Sequence, residues 1–295
     1  MICYLILHYK NANATIECIN SLNNVSKKSE RIIVIIDNAS NNGSYETLQL
    51  KYHGNPEIDM IKTEENLGYA RGNNFGYQYI KSKYMPELIV VCNNDLIFEH
   101  SEFEQNLFDE YKNVGFDVAG PDIINMDDIH QNPHRIKMLT YKEISLSILK
   151  KRIMLLGLIL KQKVFLLNGI NILEMQYEKE GLEKRQNIIK VQKIDDIVLQ
   201  GSCIILGEKF IKEQTIVFCE ETFLYYEEDL FAIKCKMNGY IVKYLDNVYV
   251  RHMESISTKD SSLSGLENEI FVFRELLKSA KIYREHVKEY EEING

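Results

Sequence analysis

Short apolar runs and polar punctuation alternate through the first 125 residues. ICYLIL at 2–7, RIIVIID at 31–37 and LIVVC at 88–92 predict strands buried on both faces, with a weaker strand from Ile58 to Ile61. Between them, Ile16, Ile19 and Leu22 give helical spacing within 14–25, and a short helix is predicted from Tyr45. Another is predicted from the glycine- and asparagine-rich stretch 66–74 to about Lys83. A helix near 102–112 and a strand near 117–123 follow. This alternation predicts an α/β fold with a mostly parallel sheet flanked by helices.

Three of the runs end in polar clusters: His8-Tyr9-Lys10-Asn11, Asp37-Asn38 and Asn93-Asn94-Asp95. Sheets of this type bind ligands beyond the carboxyl ends of their strands, so three clusters on one edge point to a site.

The pattern changes after about residue 140. Residues 141–175 are rich in Leu, Ile and Lys without clean alternation. Strand-like text returns at 194 with DDIVLQGSCIIL; a helix is predicted from about Glu228, then strands near 240–244 and 248–252, and an amphipathic helix over 264–290.

Composition narrows the classes. A hydrophobic fraction of 45% fills a sizeable core. A net charge of -8 argues against nucleic acid, whose phosphates need a basic face. The six cysteines form no CxxC pair, so neither a zinc framework nor a disulfide framework is expected. MICYLILHYK has no basic leader and reads as a first strand, which with reduced thiols predicts a cytoplasmic protein. No apolar run approaches the roughly 18 residues that suggest a spanning helix.

Three clusters carry candidate chemistry. Asp95 with neighbouring amides suits a hard divalent cation shared with a phosphate-bearing ligand, or else caps an ordinary turn. Asn66 to Asn74 opens a helix whose free N–H groups attract anions, or is a plain cap; it lacks the spacing of a dinucleotide fingerprint. In YYEEDLF, 225–231, Glu227, Glu228 and Asp229 either complement the helix dipole or include a general base. His252 ends a predicted strand and gains interest as a ligand if that strand finishes beside Asp95.

In order, ILHYKNANATIECINSL, VIIDNASNNGS, ENLGYARGNNFG, VVCNNDL, LQGSCIIL, FLYYEEDLFAIKCKMNGY and VYVRHMESIS resemble the family 2 glycosyltransferases with the GT-A fold, particularly rhamnosyltransferase-like enzymes that add single sugars in capsular polysaccharide, O-antigen and cell-wall synthesis. The resemblance covers roughly 1–125 and 195–257. It implies a GT-A domain over 1–257, with a nucleotide-sugar half at 1–125, a basic helical segment at 135–190, an acceptor half at 191–257 and a helical extension at 258–295.

By position, the resemblance assigns Asp37 to the nucleotide base, with Tyr9 and Asn38 beside it. Asn66, Gly68, Asn74 and Asn94 fall near the nucleotide. Asp95 matches the last acid of the family's DxD, whose first acid is Asn93 here, and His252 matches a histidine near the metal. Glu228 matches the base, with Asp229 as the candidate one register on. The implied cofactor is Mn2+ or Mg2+ and the implied donor a UDP-sugar or dTDP-rhamnose. The chain has no tryptophan, so it lacks the Gln-Arg-Trp motif of processive synthases and fits single addition. A nucleotidyltransferase is disfavoured because no glycine follows the first strand. A non-catalytic carbohydrate-binding module is disfavoured because Asp95 and the acids are retained.

Residues 135–163 hold eight basic side chains against Glu143 alone, a local net of +7 around the apolar IMLLGLIL. Two readings stand: a peripheral contact with the inner face of a plasma membrane carrying a lipid-linked acceptor, or a helix pair between domains or in a homodimer. The closing helix is expected to pack or dimerise.

Overall fold

A computed structural model describes residues 1–168, 197–254 and 263–294. In chain order the strands are β1 (Ile2–His8), β2 (Arg31–Asp37), β3 (Ile58–Lys62), β4 (Leu88–Asn93), β5 (Leu96–Ile97), β6 (Val118–Asn125), β7 (Cys203–Leu206) and β8 (Val242–His252). The helices are α1 (Ala12–Asn23), α2 (Ser44–Tyr52), α3 (Gly68–Lys83), α4 (Phe103–Val114), α5 (Tyr141–Asn168), α6 (Glu208–Glu213), α7 (Glu227–Met237) and α8 (Leu263–Asn294). The strands form one sheet in the order β3-β2-β1-β4-β7-β6-β8-β5. β7 runs against β4 and β6, and the short β5 against β8; the remaining strands share one direction.

The strand pleat divides the core. Along β1, Ile2, Tyr4 and Ile6 face a cluster with Cys18, Ile19 and Leu22 of α1 and Phe103 and Leu107 of α4. Cys3 and Leu5 face the opposite cluster, with Tyr77 and Ile80 of α3, Phe210 of α6 and Phe231 of α7. Apolar burial on both faces explains why these strands read as continuous runs. α1 starts where Asn11 caps it, its Oδ1 accepting from Ala14 N at 3.2 Å.

The strands expected near 240–244 and 248–252 are one strand. β8 pairs with β6 throughout, and a register shift at Pro121/Asp122 absorbs the extra residues. The helical segment expected over 135–190 begins only at Tyr141, and 169–190 lies outside the described residues. The start of the C-terminal extension, at 258–262, lies outside them too.

α5 and α8 form an outer layer. Ile144 and Ile148 of α5 meet Leu277, Ala280 and Tyr283 of α8, and Leu230 and Ile233 of α7 join the same cluster. The closing helix is thus a packing element. All six cysteines are free thiols. Among the described residues, no helix is long and apolar enough to cross a membrane.

One buried ion pair fastens the first face. Arg31 Nε donates to Glu104 Oε1 at 2.7 Å, while its Nη1 and Nη2 reach the carbonyls of Leu22 and Val25 at 2.6 and 3.0 Å. Tyr4 Oη also donates to Glu104, and neither charged side chain is solvent-exposed beyond 1%. Removing one partner strands the other charge. Glu104→Ala is expected to cost about 3–5 kcal/mol, read from urea unfolding by circular dichroism. A loss under about 1 kcal/mol, the surface-pair range, would show that Arg31 finds other compensation.

Candidate active site

The parallel register lines up the polar strand ends. His8 of β1 is level with Asp37 of β2, and Asp37 with Lys62 of β3; Asn93 of β4 sits beside Leu7. Because β7 is antiparallel, it begins at this same edge, and Asn93 N donates to Ser202 O at 2.8 Å. β6 and β8 also end here, with Asn125 level with His252.

The turn after β4 brings its candidate ligands together. β5 places Leu96 opposite His252, and Met253 N donates to Asp95 O at 3.0 Å. His252 Nε2 stands 3.4 Å from Asp95 Oδ1, and its Nδ1 is 2.8 Å from Gln131 Oε1. In the tautomer whose Nδ1 proton goes to Gln131, the Nε2 lone pair and the carboxylate face each other. That electron-rich pair fits a divalent cation, and the Gln131 contact fixes the ring as outer-shell partners of metal-bound histidines do. Asn94 instead turns back on α1, donating to Thr15 Oγ1 at 3.0 Å.

On the other side of β1, Asp37 is fully buried. Its Oδ2 accepts from Ser40 N at 3.3 Å, whereas its Oδ1 has no hydrogen-bond partner among the described residues. His8, 3.6 Å away, has its pKa lowered by burial, against the pull of Asp37. Tyr9 stands 42% exposed just beyond, under the Lys10 ammonium.

The asparagines near this edge divide differently from the sequence expectation. Asn38 donates to Asn66 Oδ1 and Gly68 O and accepts from Leu67 N and Thr63 Oγ1. Asn74 donates to Phe218 O and Glu220 Oε1 and accepts from Val217 N and Phe218 N. Both amides are buried with their hydrogen-bonding capacity used inside the chain. They brace the loops at 63–68 and 217–220. Asn66 is exposed, and Gly68, at φ +77°, packs so closely that a Cβ would lie 2.4 Å from Phe223 O.

A cavity of about 380 Å³ opens between Asn93 and the start of α7. Gly201, Ser202, Tyr69, Arg135 and Lys151 line it, with Leu224 and Tyr225 and, from α8, Leu276. The acids reach it after two consecutive non-glycine residues in the left-handed region, Tyr225 at φ 72° and Tyr226 at φ 65°. Such backbone persists where packing enforces it; here the Tyr226 ring stacks on Tyr283 at 5.6 Å.

The three acids have distinct surroundings. Asp229 is 1% exposed and ion-paired with Arg135. Burial raises its pKa, and Arg135 opposes the rise. Glu227 is 4% exposed, and burial, then the negative charge of Glu228, pushes it up to about 8. Glu228 is half-buried and lies against Gly201, where an added Cβ would come within 2.8 Å of its Oε1. Burial raises its pKa, while main-chain hydrogen bonds, including one from Gly201, moderate the rise.

A sequence model of glycosyl transferase family 2 matches residues 4–160, more than half of the chain. The chain belongs to this family. No curated protein matches it. Among solved structures, residues 1–349 of TarS from S. aureus align with 92% of the chain at 15% identity and a TM-score of 0.53. A mannosyltransferase from Pyrobaculum calidifontis, in complex with GDP-Man and Mn2+, aligns with 96% at 10% identity and a TM-score of 0.54. The chain spans 64% of the first structure and 73% of the second. TarS is also solved with UDP and with UDP-GlcNAc. At these identities the likeness establishes the shared GT-A fold. The family member described here is therefore built on a mixed α/β sheet of the GT-A type.

Sequence reasoning missed Arg135 and Lys151 as cavity residues because it counted both within a basic surface. Arg135 turns inward to Asp229, and Lys151 donates to Tyr226 Oη at 3.1 Å. Gly201 and Ser202 were visible only as the GS of LQGSCIIL.

Burial of Glu227 has a thermodynamic sign. Its folded pKa, about 8, lies above the ordinary 4.5, so the folded state holds the proton more tightly. The stabilisation is complete below the unfolded value and is lost as pH rises through the folded one. The urea midpoint is expected to fall between about pH 5 and 9, and Glu227→Gln to flatten that fall. Glu228 and Asp229 are shifted the same way, so part of the slope remains. An unchanged slope in the variant would return Glu227 to an ordinary carboxylate.

Proposed function

We propose that this family member is an inverting, metal-dependent transferase that moves one sugar from UDP or dTDP onto a saccharide, lipid-linked acceptor in bacterial cell-surface polysaccharide synthesis. The observation that carries the reading is that the β4 strand end and Glu228 border one cavity. A donor diphosphate beside Asp95 and an acceptor hydroxyl beside Glu228 then meet across it. Transfer with dTDP-rhamnose is the specific form suggested by the motif order.

Glu228 is the base in this reading. Asp229 is committed to Arg135, and Glu227, at about 8, is largely protonated at neutral pH. Glu228 removes the acceptor proton as the oxygen attacks the anomeric carbon, and burial raises its pKa, the direction that strengthens a carboxylate base. Asp95 and His252 would hold Mn2+ or Mg2+, whose charge favours departure of the diphosphate. Asp37 Oδ1, without a hydrogen-bond partner among the described residues, supports a role as acceptor from a base N–H, and exposed Tyr9 supports stacking against that base. Manganese and nucleotide-sugars in the structural neighbours point the same way.

A second feature supports a lipid surface. On α5, Leu146, Leu149, Ile153, Leu156 and Leu160 form one outer stripe, each more than half exposed. Exposed Lys142, Lys150, Arg152 and Lys163 belong to the same helix. Two copies pairing along this stripe would set Lys150 and Arg152 against their own kind. An anionic bilayer satisfies the charges and the apolar stripe together, at the inner face of the plasma membrane.

Two experiments test the reading. Thermal unfolding with UDP and dTDP, each with and without Mn2+, should show a metal-dependent shift for at least one nucleotide, lost in Asp95→Ala. A ligand at about a hundred times its dissociation constant stabilises by about 2.7 kcal/mol. Glu228→Gln should keep that shift yet lose transfer by about a hundredfold or more; unchanged turnover would remove it as base. For the surface, the chain should co-sediment with phosphatidylglycerol vesicles and not with phosphatidylcholine vesicles. Leu149→Glu with Leu156→Glu should abolish sedimentation. A dimer dissociated by the same pair, with no vesicle binding, would overturn the lipid assignment.

A further inference from the structure

Away from the cavity, three side chains of metal-ligating type meet where α8 crosses the loop before α7. Cys219 and Glu221 lie on the loop, and His286 on α8. One ligand atom from each lies within 4.8 Å of the others. His286 Nε2 is 3.0 Å from Glu221 Oε1, and Cys219 Sγ is 3.7 Å from that oxygen. On a tetrahedral zinc with Zn–S about 2.3 Å and Zn–N or Zn–O about 2.0 Å, ligand atoms stand about 3.3–3.5 Å apart. The observed spacings straddle that range, so small side-chain adjustments admit the ion.

We propose that Cys219, Glu221 and His286 form a zinc site that clips α8 onto this loop. The thiolate selects zinc over magnesium or manganese, and imidazole and carboxylate are both zinc-ligand types. Three protein ligands leave the fourth position to water. Cys219 and His286 are half-buried and Glu221 is exposed, which gives an entry path. Coordination releases the Cys219 thiol proton, and the proton of His286 where it is charged, to solvent; uptake therefore strengthens with pH.

The clip falls on a loop that already joins several elements. Asn74 holds it at Val217 and Phe218, and Arg71 Nε donates to Glu220 O at 2.9 Å. On α8, Ser279 Oγ donates to Leu224 O at 2.6 Å, and Leu276 reaches the cavity wall. Zinc at this junction fixes the wall without touching the reacting groups. The site shares no residue with the cavity lining, so it stands or falls independently of the proposed transfer.

The test uses the full chain, stripped with EDTA and titrated with Co2+ alone. The expected result is a thiolate-to-cobalt charge-transfer band that saturates at one ion per chain and is bleached by Zn2+. Asp95→Ala should keep the band, which separates this site from the metal proposed at Asp95 and His252. Cys219→Ser should lose it, as should His286→Gln; either suffices if the other misfolds. Cobalt bound without the band, a band surviving Cys219→Ser, or no cobalt retained would each overturn the site.

Discussion

The hydrogen bond from Asn93 N to Ser202 O is the contact on which the site depends. Four parallel strands deliver polar ends to one edge, but their order alone builds only half of a cavity. β7 enters against β4, with Cys92 opposite Cys203, so the chain ahead of it is laid beside the β4 strand end. That places Gly201 where only a hydrogen leaves room for Glu228. Tyr69, at the start of α3, closes the same corner by donating to Gly201 O at 2.5 Å. A residue with a side chain at 201 would push Glu228 off the main chain that it lies against.

Burial and charge then separate three neighbouring acids. A helix N-terminus favours carboxylates in general, yet the dipole is worth at most about 2 kcal/mol and does not distinguish positions within one turn. The distinction comes from partners. Arg135 reaches across more than ninety residues to pair with Asp229 and oppose the rise that burial imposes on its pKa, while burial and the charge of Glu228 push Glu227 up to about 8. Glu228 keeps an intermediate environment on the cavity side. Three adjacent acids thus stand in three different electrostatic surroundings.

The central strands and the polar ends were legible in the sequence because burial on both faces writes itself as continuous apolar text. The approach of His252 to Asp95 was legible only conditionally, since a histidine after a strand means little until the sheet order is known. The loop-bracing bonds of Asn38 and Asn74 were not legible for a physical reason: an amide bracing two loops and an amide facing a ligand look alike in sequence. The segment after 140 resisted because α5 is apolar on two faces. Ile144 and Ile148 point into the helical layer while Leu146, Leu149 and Ile153 point out, and the superposed stripes erase any single period.

That double-faced helix also explains why acceptor chemistry is harder to read than donor chemistry. In the proposed reading, the donor edge is assembled by strand ends whose register the sheet imposes. The opposite wall comes from Lys151 of α5, the strained Tyr225 turn and Leu276 of α8, elements joined mainly by apolar side-chain packing with a few side-chain hydrogen bonds. Packing of this kind tolerates exchange of apolar residues of similar volume. A wall built that way can be reshaped without disturbing the sheet. In the proposed reading, acceptor choice therefore resides in the outer helices, and nucleotide binding in the strand ends.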